Sequence, residues 1–162
     1  MSEEQNHAFV IEGKMALPYQ YYAGATTSKF IIALRDEKKI LGVKCAKCDK
    51  VFVPPRQTCE RCFSKLTDNW VELEPTGEVT GFTVIRYAEP YQPKQPPYVL
   101  ALIRLDGADT PIVHLLECGA VGNAKVGMRV RAVFSDEHKD NILNIAYFEP
   151  DSSSNSCACR EL

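Results

Sequence analysis

The chain has no surplus of positive charge: 19 lysines and arginines face 21 aspartates and glutamates, giving a formal net charge of -2 and a pI near 5.9. Affinity for nucleic acid comes mostly from neutralising phosphates, so this balance speaks against a general nucleic-acid binder. No apolar run approaches the ~20 residues needed to span a bilayer. The opening Met-Ser-Glu-Glu-Gln is acidic and lacks the basic-then-apolar layout of a secretion signal. No Gly-x-Ser-x-Gly elbow, phosphate-cradling glycine loop or dinucleotide fingerprint occurs. Histidine is scarce, and His7, His114 and His138 lie far apart in the chain. His114 falls on one face of a predicted strand, where a histidine is more often a core or rim residue than a catalytic base. Paired carboxylates at a shared site are not recognisable from the sequence. On its own residues the chain does not read as a complete enzyme, and no catalytic residue is assigned.

Cysteine is what the chain has in quantity. The stretch Lys44–Lys65 reads KCAKCDKVFVPPRQTCERCFSK, in which Cys45 and Cys48 are two residues apart and Cys59 and Cys62 repeat that spacing. Each Cys-x-x-Cys bends the backbone into a knuckle that aims two sulfurs at one point. Two facing knuckles supply four thiolates, a closed tetrahedral site that suits a structural zinc. Disulfides or redox motifs fit less well, because a redox Cys-x-x-Cys opens a helix after a strand and neither copy has that setting. Spacing alone leaves iron open, since four thiolates also form a rubredoxin-like site. Lys44, Lys47, Lys50, Arg56 and Arg61 are expected to offset the thiolate charge and lower the thiol pKa values. A closed site has no open position for substrate, so its role is to hold structure. An odd total of 7 cysteines, four of them in metal spacing, argues for a reducing, cytoplasmic compartment.

Read in order, the chain divides into an arm and amphipathic helix (1–38), the zinc ribbon (39–68), a barrel (69–150) and a serine-rich tail (151–162). In the arm, Pro18-Tyr19-Gln20-Tyr21-Tyr22 places three tyrosines where they must pack on the body or await a partner. Thr26, Thr27 or Ser28 is placed to cap a helix over Lys29–Lys38, with Phe30, Ile31, Ala33 and Leu34 as its apolar face. So short a helix must dock, either on the body or on another chain. Lys39–Lys44 and Val51–Val53 read as the ribbon strands, the second stopped by Pro54-Pro55. Asp49 and Phe63 follow the knuckles, where a positive φ is needed. Asp tolerates that conformation better than Phe, which predicts a less regular second knuckle. Strands follow at Trp70–Leu73, Gly77–Tyr87, Tyr98–Leu105, Pro111–Glu117, Met128–Phe134 and Ile142–Phe148, with a bulge or bend at Gly81. No helix separates them, which suggests a small closed barrel, and the OB-fold is the commonest five-stranded answer. The proline-rich stretch Glu89–Pro97 reads as a rim loop, and Cys157 and Cys159 lie in a tail that reads as disordered.

Taken together, Cys45, Cys48, Val53-Pro54-Pro55-Arg56, Cys59, Cys62, Trp70, the Gly77 strand with Thr83, Pro97-Tyr98, Leu105-Asp106-Gly107 and Gly127-Met128 form one ordered pattern over about Tyr22 to Phe148. The pattern resembles the zinc-ribbon/OB-fold acyl-CoA-associated proteins, which accompany thiolases, hydroxymethylglutaryl-CoA synthases and hydratases. Asp49 and Phe63 depart from it, since the family usually has glycine after each knuckle, and so does the cysteine-bearing tail.

The resemblance implies a non-catalytic subunit of an acyl-CoA C-acyltransferase of the thiolase type. The partner would carry the nucleophile, and this chain would assemble or shape the acyl-CoA site. Within the family the pattern is most similar to subunits of enzymes that thiolytically cleave 2-benzoylsuccinyl-CoA in anaerobic aromatic degradation. It also implies zinc at Cys45, Cys48, Cys59 and Cys62, CoA thioester as a ligand of the complex, and a hetero-oligomer with no membrane or nucleic-acid partner. Lys29, Arg35 and Arg56 are the candidate contacts to CoA phosphates, set against the ordinary role of a solvated surface charge. Two other readings stand beside it: a ribbon/OB-fold nucleic-acid-binding module, supported by fold alone, and a rubredoxin-like electron carrier, which needs iron.

Overall fold

The computed structural model describes residues 11, 13, 15, 17, 19–66 and 68–151. His7, Pro18, Cys157 and Cys159 lie outside that set. A helix α1 (Gly24–Ile32) runs into a wider π turn (Ala33–Glu37). It begins five residues before the predicted start, and no side chain caps it. Thr26 therefore lies inside the helix, buried on the same face as Phe30, Ala33 and Leu34. That 26-30-33-34 spacing is the i, i+4, i+7, i+8 stripe of an amphipathic helix. Lys38 ends the helix in the left-handed conformation at φ 55°, where glycine is usual. The stripe docks on the chain's own body, with Phe30 and Leu34 joining its main core. Of the two docking partners open to the helix, its apolar stripe takes the chain's own body.

Strands β1 (Ile40–Lys44), β2 (Val51–Phe52) and β3 (Trp70–Leu73) form an antiparallel sheet in the order β2-β1-β3. Trp70–Leu73, read from sequence as the first barrel strand, thus pairs with the ribbon instead, Val43 opposite Trp70 and Ile40 opposite Leu73. The reason is lateral: β2 occupies one edge of β1, and β3 satisfies the backbone groups of the opposite edge.

The barrel is built from β4 (Thr76–Ile85), β5 (Tyr98–Leu105), β6 (Ile112–Leu116), β7 (Arg129–Phe134) and β8 (Ile145–Pro150). Its closed order β4-β5-β6-β8-β7, with β6 and β8 parallel, is that of an OB-fold. The register shifts between Val79 and Gly81, so the bend expected at Gly81 is a β-bulge. Gly77 is required by close approach: a Cβ there would sit 2.5 Å from the Arg104 carbonyl oxygen. The last strand starts three residues later than predicted. Residues 142–144 form a 3-10 turn in which the buried Asn144 amide bonds the Asn141 carbonyl and accepts from the Lys139 N–H. Alternate residues of β5 and β6 (Val99, Ala101, Ile103, Leu105; Ile112, Leu116) fill the interior with Val79, Val130, Ile145 and Phe148. His114 also points inward, edge-on to Phe148 at 5.6 Å. Its Nδ1 accepts from the Leu115 N–H, which leaves Nε2 to donate to the Ile142 carbonyl. Burial holds its pKa below the ordinary value, so it is a neutral core residue.

Ribbon and barrel are fastened by the loop between β5 and β6. The Asp109 N–H donates to the Val51 carbonyl at 2.9 Å, and the Val51 N–H donates to the Asp109 carboxylate at 2.8 Å. Lys50 pairs with the same carboxylate at 3.0 Å. The Thr110 hydroxyl accepts from the Val53 N–H at 2.9 Å and donates to the Val53 carbonyl at 3.0 Å. The free edge of β2 is thereby closed by side chains of the barrel. Thr110→Val keeps the shape but leaves both Val53 groups without that partner. It is expected to lower stability by about 1–2 kcal/mol in denaturant unfolding and to speed hydrogen exchange at the Val53 amide; unchanged exchange there would show that the clasp is not holding the edge.

Candidate metal centre

The two knuckles are built alike. In the first, the Asp49 N–H donates to the Cys45 carbonyl at 2.8 Å and the Cys45 N–H to the Lys50 carbonyl at 2.8 Å. In the second, the Phe63 N–H donates to the Cys59 carbonyl at 3.0 Å and the Cys59 N–H to the Ser64 carbonyl at 2.9 Å. Asp49 and Phe63 both take φ 57°. The expectation of a less regular second knuckle is therefore corrected: the backbone bonds force the same left-handed turn whatever the side chain. Phe63 adopts it with its ring 79% exposed, so little packing offsets the strain.

The four Sγ atoms lie within 4.8 Å of one another. Cys45 and Cys62 are 3.5 Å apart and Cys48 and Cys59 4.0 Å apart, and all four are free thiols. Four sulfurs at ~2.3 Å from a central zinc sit about 3.8 Å from each other in a tetrahedron, and the 3.5 and 4.0 Å pairs bracket that separation. Cys45 and Cys59 are buried with Val43, Phe52 and Leu66, a small apolar cluster that shields the sulfurs from water. Among the described residues this is the group that offers metal-ligand geometry.

The charge environment differs from the sequence expectation. Lys44 pairs with Asp49 at 2.7 Å, Lys50 with Asp109, and Arg56 with Glu60. What lowers the Cys62 thiol is the Ser64 hydroxyl at 3.2 Å, followed by the Ser64 backbone N–H, rather than the neighbouring cations. Cys48 is pushed the opposite way, first by its interaction with Cys62 and then by desolvation. Of Cys48 and Cys62, it is Cys62 that gives up its proton the more readily. Sequence reasoning passed over Ser64, although its place two residues after the second knuckle's last cysteine was visible.

The three candidate CoA contacts are each engaged within the chain. The Lys29 ammonium sits 4.3 Å above the Trp70 ring centroid, tying α1 to β3. Arg35 pairs with Asp36 at 2.7 Å and with Asp140 at 2.9 Å. Arg56, besides Glu60, lies 5.1 Å over the Phe52 ring. Cys118 is partly exposed at the end of β6, and its thiol donates to the Ala120 carbonyl.

Comparison with known proteins identifies the two halves. Residues 33–67 match the family model described as ChsH2, rubredoxin-like zinc ribbon domain, and residues 70–135 match ChsH2, C-terminal OB-fold domain. This chain belongs to the ChsH2 family of zinc-ribbon/OB-fold proteins. It is 28% identical over 121 residues to a DUF35 domain-containing scaffold protein of Methanocaldococcus jannaschii, covering 72% of this chain and 85% of that one. Among solved structures it is similar to a DUF35-family protein of unknown function from Sulfolobus solfataricus, at 28% identity and TM-score 0.59, covering 79% and 87% of the two chains. It is also similar to a chain of an Ltp2-ChsH2(DUF35) aldolase, at 25% identity and TM-score 0.59, covering 80% and 98%. The ChsH2 ribbon model spans all four cysteines, and a structural zinc fits both that description and the sulfur geometry.

Two substitutions in this ChsH2-type ribbon separate metal from backbone. Cys62→Ser is expected to lose the bound zinc by elemental analysis and unfold the ribbon, because metal binding and folding are coupled. Phe63→Gly is expected to keep the metal and gain about 1 kcal/mol in thermal unfolding, by relieving the left-handed strain. A destabilised Phe63→Gly would contradict the strain assignment.

Proposed function

We propose that this chain is a non-catalytic, zinc-holding subunit of an acyl-CoA enzyme of the thiolase class, which it helps to assemble and whose acyl-CoA site it helps to shape. The observation that carries the reading is the likeness, over 98% of its length, to a ChsH2 chain of an aldolase. Aldolases and thiolases share one task, making or breaking a carbon–carbon bond near a carbonyl. The chain's own chemistry agrees. Four of its thiols are gathered into a closed site, its inward histidine is neutral and bonded, and the barrel arginines Arg129 and Arg131 pair with carboxylates of the chain itself. The scaffold description of the archaeal relative points the same way.

In this reading the catalytic chain supplies the nucleophile, and CoA thioester is the shared ligand. Lys29, Arg35 and Arg56 are the proposed phosphate contacts, each steadied by an aromatic ring or a carboxylate so that little side-chain entropy is lost on binding. The substrate favoured by the sequence pattern is 2-benzoylsuccinyl-CoA. A nucleic-acid role is disfavoured, because a net charge of -2 leaves no excess of cations to neutralise a phosphate backbone. No helix among the described residues is long and apolar enough to cross a membrane.

The test is reconstitution. The tagged chain is purified from its native host, the co-purifying catalytic chain is identified by mass spectrometry, and CoA-dependent cleavage of 2-benzoylsuccinyl-CoA is assayed with the subunits separate and together. Activity should require both. Cys45→Ser should abolish assembly, and replacing Cys157 and Cys159 with serine should leave it unchanged. Full activity of the catalytic chain alone, or a partner with no acyl-CoA chemistry, would overturn the reading.

A further inference from the structure

Helix α1 opens without a side-chain cap. Gly24, its first residue, takes φ 81°, a conformation that favours glycine, and no side chain bonds the N–H groups of the first turn. No acidic residue stands in that turn either. The end therefore presents the positive pole of the helix, about half an elementary charge, together with its N–H donors. A helix end of this kind suits an anion but does not by itself make a site. The rest is supplied from across a gap, by the base of the second knuckle.

The chain on either side of that knuckle forms a shelf. Thr58 and Lys65 make an antiparallel bridge, so their side chains leave the same face of it, and the Leu66 N–H donates to the Gln57 carbonyl at 2.8 Å. Leu66 and Cys59 are buried in the sulfur cluster, which fixes the shelf to the ribbon. Gln57 reaches the helix start: a Cβ on Gly24 would lie 3.5 Å from its Nε2. Between shelf and helix is a hollow of about 320 Å³ lined by Ala25, Thr26, Gln57, Thr58 and Lys65. That is the low end of the size of small-molecule sites, enough for a phosphate group and part of the molecule that carries it.

Thr26 decides what the hollow is for. It is only 8% exposed, yet its hydroxyl makes no hydrogen bond among the described residues. A sealed hydroxyl in that condition is costly, and no fully buried side-chain N or O atom among the described residues lacks a partner. The small accessible part of Thr26 therefore includes its oxygen, and the hollow is what it faces. Lys65 makes no ion pair among the described residues, whereas Lys44, Lys50 and Arg56 each face a carboxylate. Every polar side chain of the lining can donate, Gln57 and Thr58 included, and no carboxylate among the lining residues opposes an anion.

We propose that this hollow is a phosphate-binding site, in which the α1 N-terminus and the Thr26 hydroxyl bond the phosphate oxygens and Lys65 supplies the counter-charge. Donors approach from two sides, helix and shelf. A tetrahedral group with several terminal oxygens meets both at once, whereas the two oxygens of a carboxylate lie in one plane. The proposal goes beyond the accessory-subunit reading and stands without it, because Lys29, Arg35 and Arg56 do not line the hollow and its donors all belong to this chain.

The experiment uses the full-length, zinc-loaded chain on its own. Inorganic phosphate is titrated at fixed ionic strength while backbone amide resonances are followed by NMR. CoA and dephospho-CoA, which lacks the 3′-phosphate, are then titrated in the same way. Saturable shifts centred on the Gly24, Ala25 and Thr26 amides are expected, with a Kd on the order of 1 mM for inorganic phosphate. Thr26→Val should weaken phosphate about 5-fold without lowering the thermal unfolding temperature, since an unpartnered hydroxyl adds nothing to the fold. Lys65→Met should weaken it about 10-fold. Arg61→Met removes a ribbon cation outside the lining and should change affinity less than about 2-fold. CoA bound more tightly than both inorganic phosphate and dephospho-CoA would support the site with a nucleotide 3′-phosphate as its ligand; CoA bound no more tightly than inorganic phosphate would support it with free phosphate. Shifts that do not saturate, shifts centred elsewhere, wild-type affinity in Thr26→Val, or an equal loss in Arg61→Met would each overturn the proposal. None of those results bears on the partner, which reconstitution tests separately.

Discussion

Four sulfurs within 4.8 Å of one another are the constraint on which the ribbon depends. Thiolates brought that close repel strongly, and a divalent cation at their centre turns the repulsion into the bond that closes the loop. Everything local follows from it. The left-handed turns at Asp49 and Phe63, the paired backbone bonds and the buried Val43, Phe52 and Leu66 are what aiming the sulfurs requires of the chain. A residue as ill-suited as phenylalanine is held in the same turn as aspartate because those backbone bonds and sulfur positions outweigh its preference.

The ribbon also organises what surrounds it. Strand β1 is covered on both sides, sending Val43 to the sulfur cluster and Ile40 to the main core. That main core joins Phe30 and Leu34 of the helical segment, Val51, Val53 and Leu73 of the ribbon, and the barrel interior in one continuous cluster. Segments that separate cleanly in sequence are thus one packed body, bolted by Asp109 and Thr110 and by Lys29 on Trp70. Such a body suits a part whose use is to present fixed surfaces, since little of its binding energy is spent on ordering itself.

Much of this was legible because it is local. Cysteine spacing, the proline stop after β2, the bulge glycine at position 81 and the alternation in Tyr98–Leu105 are each read within a few residues. Where sequence reading failed, the deciding partner was distant. Trp70–Leu73 has the pattern of any strand, and only the unpaired edge of β1 draws it to the ribbon. The clasp joins residues 58 apart in the chain. The helix start was misplaced because Thr26 looked like a cap, yet its side chain is buried against the body. Lysines near the cysteines looked like their electrostatic partners, but carboxylates outcompete the thiols for them.

A metal at the four sulfurs would hold the ribbon, while the barrel stands on its own hydrogen bonds and core. Backbone hydrogen exchange of the full chain, before and after removal of the metal with a chelator, tests it most directly. Fast exchange is expected after chelation at Cys45, Asp49, Cys59 and Phe63, whose N–H groups make the knuckle bonds, with Ala101, Ile103 and Leu116 in the barrel still protected. Knuckle amides that stay protected without metal, or a barrel that unfolds together with them, would contradict it.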